Sequence, residues 1–217
     1  MPRYTYLLFD LDGTLTDSEE GVVKSFQHGL RAFGIEENDP ALLRRVIGPP
    51  LLSSYRDYYG LDAQQAKRAV KVFQERYETV GKFENRPYPG MADLLCALNK
   101  AGYQLIVATS KPEYFARQIL DHFALTQYFA YIFGADEDIG RTEKADVIRE
   151  AMRVCPQLDC NNTVMIGDRK YDVLGAKECG LDCIGVLYGF GDRAELEAAG
   201  ARAIVASVAE LEALLLH

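Results

Sequence analysis

Tyr4-Thr5-Tyr6-Leu7-Leu8-Phe9-Asp10-Leu11-Asp12-Gly13-Thr14 is the stretch that decides the fold. Residues 4–9 are almost wholly apolar and aromatic, and at Asp10 they give way to a polar turn containing glycine. A short apolar run bounded by turn residues reads as a buried strand feeding a loop. Two carboxylates, Asp10 and Asp12, therefore stand where the chain leaves a sheet. Asp and Gly also end strands for purely conformational reasons, so the rest of the chain must choose between a chemical and a structural reading.

Downstream, residues 18–80 show no strand pattern and repeated helical stripes: Val22, Phe26, Leu30 and Phe33; Leu42 and Val46; Leu51, Leu52, Tyr55 and Tyr59; Ala66, Val70, Phe73 and Tyr77. Punctuation agrees. Asp39-Pro40 suits an N-cap with proline at the first helical position, Gly48-Pro49-Pro50 is expected to end that helix, Gly60 the next, and Asp62 with Gln65 resembles a capping box. After Pro87-Tyr88-Pro89-Gly90 helices and strands alternate, with strands expected at 104–108, 131–133, 163–166, 182–186 and 203–205 and helices at 91–100, 112–122, 144–154 and 171–178. Such alternation predicts an α/β fold, a Rossmann-like doubly wound parallel sheet covered on both faces. The expected division is a core of residues 1–16 and 86–217 with a small all-helical domain at 17–85.

With 217 residues, 48% of them hydrophobic and 26% charged, the chain can bury a sizeable core and has no disordered or low-complexity character. A formal charge of -8 argues against a nucleic acid polymer as partner. Five cysteines (Cys96, Cys155, Cys160, Cys179, Cys183) show no Cys-x-x-Cys spacing and read as reduced thiols. The first residues are too short an apolar run for a signal peptide, and no stretch approaches the ~20 apolar residues of a membrane span, so a cytoplasmic protein with no membrane partner is expected.

In an open parallel sheet ligands bind beyond the carboxyl ends of the strands, and polar groups gather at those ends here. The second strand of the core runs into Thr109-Ser110-Lys111-Pro112, whose hydroxyls and following helix start suit an anion, though taken alone an ordinary N-cap is the better account of them. Lys144 precedes a helix and offers a compact positive charge, the role of a solvated surface lysine being the plainer alternative. Gly167-Asp168-Arg169-Lys170-Tyr171-Asp172 again sets acids at a strand end, where they can join Asp10 around a hard divalent cation.

Fitting groups at successive strand ends rarely coincide by accident. Asp10-x-Asp12-Gly13-Thr14, then Thr109, then Lys144, then Gly167-Asp168-x-x-x-Asp172, in that order, resemble the four motifs of the haloacid dehalogenase superfamily, and the helical segment resembles the cap that many members insert after the first motif. The resemblance implies a Mg²⁺-dependent phosphatase acting on a small phosphorylated metabolite through a phospho-aspartate. Dehalogenating members lack the second aspartate, so Asp12 implies phosphoryl transfer. Beta-phosphoglucomutases often carry Asp-Gly-Val where this chain has Asp12-Gly13-Thr14. Thr109-Ser110-Lys111-Pro112 and Ile47-Gly48-Pro49-Pro50-Leu51 look like strings of phosphoglycolate phosphatases and their relatives, which include pyrophosphatases and 5′-nucleotidases; these and a phosphomutase stay open.

Carried onto this sequence, the resemblance implies Asp10 as nucleophile and metal ligand, Asp12 as general acid and base with its carbonyl on the metal, Asp168 as a further ligand, and Asp172 as a direct or water-mediated one. Thr109 and Lys144 would hold the transferring phosphoryl group, with Gly13, Thr14, Ser110 and Lys111 around it. His28, His122 and His217 have no ligand spacing and read as structural or solvated. Arg44 and Arg45 suit a helix end better than a substrate carboxylate. A monomer or homodimer is expected.

Overall fold

The computed structural model describes residues 4–216, apart from the side chain of residue 137. The elements begin with β1 (Tyr6–Phe9), β2 (Thr16–Asp17), α1 (Glu19–Arg31), α2 (Pro40–Arg44), α3 (Leu51–Tyr59), α4 (Ala63–Thr79) and β3 (Arg86–Pro87). They continue with α5 (Met91–Lys100), β4 (Gln104–Pro112), α6 (Glu113–His122), β5 (Tyr131–Ala135), α7 (Lys144–Val154) and β6 (Thr163–Gly167). The last are α8 (Lys170–Glu178), β7 (Asp182–Val186), α9 (Arg193–Ala199), β8 (Ala203–Val205) and α10 (Val208–Leu216). They form two compact units, Met1–Thr16 with Pro87–His217, and Asp17–Arg86.

The first unit is built on a six-stranded sheet in the order β5-β4-β1-β6-β7-β8, with parallel pairing throughout. Side chains alternate across it. Leu7 and Phe9 join Leu105, Val107, Val164 and Ile166 against α5, α6 and α10, while Leu8, Ile106 and Met165 pack with Val147, Ile148, Val173 and Leu196 from α7, α8 and α9. Burial on both faces is why β1 is apolar without alternation. The chain builds outward from β1 through β4 to β5, then returns to β6 on the other side. That makes β1 the point where strand order reverses, and the crevice beyond its carboxyl end is where an open sheet binds ligands.

Register then fixes which residues meet there. Phe9 pairs with Val107 and with Ile166, so Asp10 follows level with Ala108 and Gly167, and Thr109 and Asp168 stand one residue further.

The strand expected at 104–108 continues through Thr109 to Pro112, with a register shift against β5 between Ala108 and Pro112. Pro112 is extended (φ -50°, ψ 130°), and α6 starts only at Glu113, not at the proline. The strand at 131–133 likewise extends to Ala135, and α8 starts one residue earlier than expected.

The second unit is a set of four helices with caps where the sequence set them. Asp39 accepts the Ala41 N–H (2.8 Å), Gly60 ends α3 with φ 67°, and Asp62 accepts from Gln64 and Gln65 while Gln65 returns to the Asp62 N–H. Phe26 of α1 stacks on Tyr55 of α3 at 4.1 Å, and the Tyr55 hydroxyl donates to the Phe26 carbonyl (3.1 Å). The Leu42/Val46 stripe is corrected: Leu42 is exposed, and Leu43, Val46 and Ile47 are buried. After α2 ends at Arg44 the chain tightens into i to i+3 bonds, Val46 N–H to Leu43 and Ile47 N–H to Arg44. Three-residue spacing replaces four there, and Gly48-Pro49-Pro50 follows the helix rather than ending it.

All five cysteines are unpaired, and among the described residues no helix is long and apolar enough to cross a membrane.

Candidate active site

Asp10 leaves β1 with its N–H donated to the Ile166 carbonyl (3.0 Å), and its Oδ1 accepts the Leu11 N–H at 2.7 Å. The chain then folds tightly, with the N–H groups of Thr14, Leu15 and Thr16 all turned onto the Leu11 carbonyl. Gly13 is essential to this turn. It has φ +81°, and a Cβ on it would lie 2.2 Å from Asp168 Oδ2. Thr14, expected at the phosphate, is fully buried, and its hydroxyl donates to Asp168 Oδ1 (3.3 Å). The first motif is thereby locked to the fourth.

Lys144 is the first residue of α7 and is nearly buried, so the surface reading of this lysine fails. Its ammonium lies 2.8 Å from Asp10 Oδ1 and 2.8 Å from Asp172 Oδ1, and it donates to the Ala108 carbonyl at 2.9 Å. Burial pulls its pKa down, but Asp10 and Asp172 outweigh burial and hold it above the usual lysine range. Gly175 on α8 gives the lysine stem its channel; a Cβ there would meet Lys144 Cβ at 2.8 Å.

Asp168 is fully buried and has only partial compensation. Phe190 N–H donates to its Oδ2 (2.7 Å), yet burial first, then Asp172 and Asp10, push its pKa well above the carboxylate range. Asp10 is also raised, by burial and by Asp172 against the opposing pull of Lys144. Asp10, Asp168 and Asp172 offer oxygens that all lie within 4.8 Å of one another. Three carboxylates against one ammonium, with oxygen donors only, fit a hard divalent cation such as Mg²⁺.

Asp12 points elsewhere. Its Oδ2 pairs with the Lys111 ammonium at 2.7 Å, and its Oδ1 is buried with no hydrogen-bond partner among the described residues. Thr109 is buried on β4, where its hydroxyl accepts the Lys111 N–H (3.2 Å) and its nearness to Asp10 favours the ionised carboxylate. Lys111, expected at the phosphate, is thus held on Asp12.

A model of haloacid dehalogenase-like hydrolases matches residues 7–186. The chain belongs to that family. Among this hydrolase's relatives, a 5′-nucleotidase of Pseudomonas aeruginosa is 47% identical over 196 residues, 90% of this chain and 88% of the relative. A phosphoglycolate phosphatase of Mesorhizobium japonicum is 30% identical over 192 residues, 86% of this chain and 84% of the relative. The crystal structure of a predicted phosphatase from Clostridium acetobutylicum superposes with a TM-score of 0.94 at 46% identity, covering 98% of each chain. The haloacid dehalogenase-like hydrolase described here is accordingly a phosphoric monoester hydrolase.

Sequence reasoning missed the loop after β7. Phe190 supplies the N–H on Asp168, and its flanking glycines have no room for a side chain: a Cβ at Gly189 would lie 2.2 Å from the Gly13 carbonyl oxygen, and one at Gly191 2.0 Å from the Asp168 carbonyl oxygen. Two glycines one residue apart just past a strand of the parallel sheet were the available signal. Arg44 lies in the helical unit, exposed and 3.7 Å from Glu19; His28 and His122 are exposed; His217 lies outside the described residues.

Proposed function

We propose that this enzyme is a Mg²⁺-dependent phosphatase of small phosphate monoesters that works through a phosphorylated Asp10. The observation carrying the reading is the convergence of Asp10, Asp168, Asp172 and Lys144 at the strand reversal, with Asp12 two residues from Asp10 and outside the metal cluster. Asp10, Asp168 and Asp172 would hold the ion, together with the Asp12 carbonyl. When bound, Mg²⁺ offsets the negative charge of a phosphate dianion and aligns it for in-line displacement.

Asp10 attacks phosphorus, the ester oxygen leaves, and Asp12 gives that oxygen its proton. Asp12 then takes a proton from water, which attacks the same phosphorus and frees Asp10 and inorganic phosphate. Two steps divide the roles between two aspartates. Lys144 keeps Asp10 ionised and oriented, and Thr109 lies beside it to meet a phosphoryl oxygen. Lys111 must leave Asp12 before Asp12 can act as an acid, and an incoming phosphate dianion is the competitor able to draw the ammonium away.

For the substrate, the more similar of the two relatives puts nucleoside 5′-monophosphates ahead of phosphoglycolate. Substrate choice is assigned to the helical unit on the family resemblance. A phosphate-release panel of nucleoside 5′-monophosphates, phosphoglycolate, pyrophosphate and hexose phosphates tests the reading. Release that needs Mg²⁺ and stops in chelator is expected, with the highest kcat/KM on a nucleoside monophosphate. Full release in excess chelator would defeat the metal assignment, and isomerisation of a hexose 1-phosphate without release would make the enzyme a mutase.

A further inference from the structure

We infer that Glu195 is a positioning residue for the metal cluster, acting through the turn that joins Asp168 to Asp172. The inference rests on the reading that Asp10, Asp168 and Asp172 hold Mg²⁺.

Asp168 follows β6, and Asp172 lies in the first turn of α8, so their separation is set by the three residues Arg169, Lys170 and Tyr171. The first N–H groups of a helix need acceptors. Arg169 occupies the N-cap of α8, and a guanidinium has donors only. One half of the solution is local, since Asp172 Oδ2 reaches back to the Arg169 N–H at 3.1 Å. The other half comes from a distant element. Glu195 of α9 accepts the Lys170 N–H at 2.8 Å, and the same oxygen accepts from Arg169 Nε at 2.8 Å. Its second oxygen lies 3.5 Å from Arg169 Nη2. One carboxylate thus caps the helix that carries Asp172 and grips the residue adjoining Asp168.

Glu195 is itself fixed. Asp192 caps α9 by accepting the Glu195 N–H at 2.8 Å, and between β7 and Asp192 lie Gly189, Phe190 and Gly191, already packed on Asp168. The turn is therefore held from both sides, Phe190 N–H on the Asp168 carboxylate and Glu195 on the backbone beyond it. The Arg169–Glu195 pair is mostly shielded, with side-chain exposures of 11% and 21%, so it is screened less than a surface pair. Loss of the carboxylate would loosen the spacing of two ligands and leave the Arg169 charge unbalanced beside a cation site; both effects weaken Mg²⁺ binding.

Outer partners of metal ligands typically contribute about 10- to 100-fold in affinity. Calorimetric titration of Mg²⁺ into the metal-free protein is the test. Glu195→Gln, of equal size, should bind Mg²⁺ about tenfold more weakly, while kcat at saturating Mg²⁺ stays within about twofold of the unaltered enzyme. Glu197→Gln breaks the exposed Arg193–Glu197 pair on the same helix, and it should leave Mg²⁺ affinity unchanged. Arg169→Lys keeps the charge and loses the fork; it should weaken binding by a smaller factor, and it serves if Glu195→Gln fails to fold. A fall in Tm with Mg²⁺ affinity unaltered, in Glu195→Gln or in Arg169→Lys, would reduce the pair to a structural tie and overturn the inference. Absence of Mg²⁺ binding by the unaltered protein would instead overturn the metal reading beneath it.

Discussion

Asp12→Asn is expected to slow release of an alkyl alcohol from its phosphate ester far more than release of a nitrophenol. An alkoxide leaves poorly without a proton, whereas nitrophenolate leaves as its anion. General acid–base groups contribute roughly 10² to 10⁴-fold, so the alkyl ester should lose that much in a single-turnover measurement and the nitrophenyl ester little. Asp12 is proposed for this separate duty because its carboxylate lies on Lys111 at 2.7 Å rather than in the Asp10, Asp168 and Asp172 cluster. Its second duty, as base toward water, is lost as well, so phosphate should accumulate on Asp10 when the nitrophenyl ester is used. Equal slowing of both esters with no accumulation would show that Asp12 supports the loop and does not transfer the proton.

Asp168→Asn is expected to have opposite effects on turnover and on the stability of the metal-free protein. Losing a ligand should cost activity at least about 100-fold, the upper end of what a ligand's outer partner contributes. In chelator, however, Asp168 is a buried acid facing two others, and the amide keeps an oxygen for Phe190 N–H or the Thr14 hydroxyl while removing the charge. A gain of about 1–2 kcal/mol, or a Tm higher by about 2–8 °C in a chain of this size, is expected. The sign with pH follows from the raised pKa. The folded state binds the Asp168 proton more tightly than the unfolded chain, so the unaltered protein has no deficit below the ordinary carboxylate value of about 3.9 and loses stability as pH rises through the folded value. The advantage of Asp168→Asn should therefore grow with pH in chelator. Saturating Mg²⁺ should reverse it, because only the unaltered protein gains from binding. Scanning calorimetry in chelator decides the matter: a variant less stable than its parent there would mean that the acids do not repel and need no cation.

The parallel sheet was legible because its strands are apolar on both faces and end in turn residues, as β1 does at Asp10. The acids were legible for the same reason: a charge directly after a buried strand has only the rim to occupy. Lys144 carried no local signal, since an exposed lysine before a helix has the same sequence; only its order among the motifs marked it, and the fold then buried it on Asp10 and Asp172. The prolongation of β4 past Thr109 was hidden because it depends on pairing with β5 across a register shift. The family resemblance puts Thr14 and Lys111 around the phosphate, whereas their partners in the fold are set by loops brought together in space, Asp168 for one and Asp12 for the other. Glu195 had no signal at all, being an ordinary acid in the first turn of an ordinary helix until α9 packs beside the start of α8.

The most direct measurement is rapid acid quench of a single turnover with a substrate radiolabelled in its phosphoryl group, followed by mapping of the labelled peptide. The expected result is transient, hydroxylamine-sensitive label on Asp10 that forms before inorganic phosphate, decays into it, persists longer in Asp12→Asn and is absent from Asp10→Asn. Phosphate released with no protein-bound label in either the parent enzyme or Asp12→Asn, or label on a residue other than Asp10, would contradict nucleophilic catalysis by Asp10.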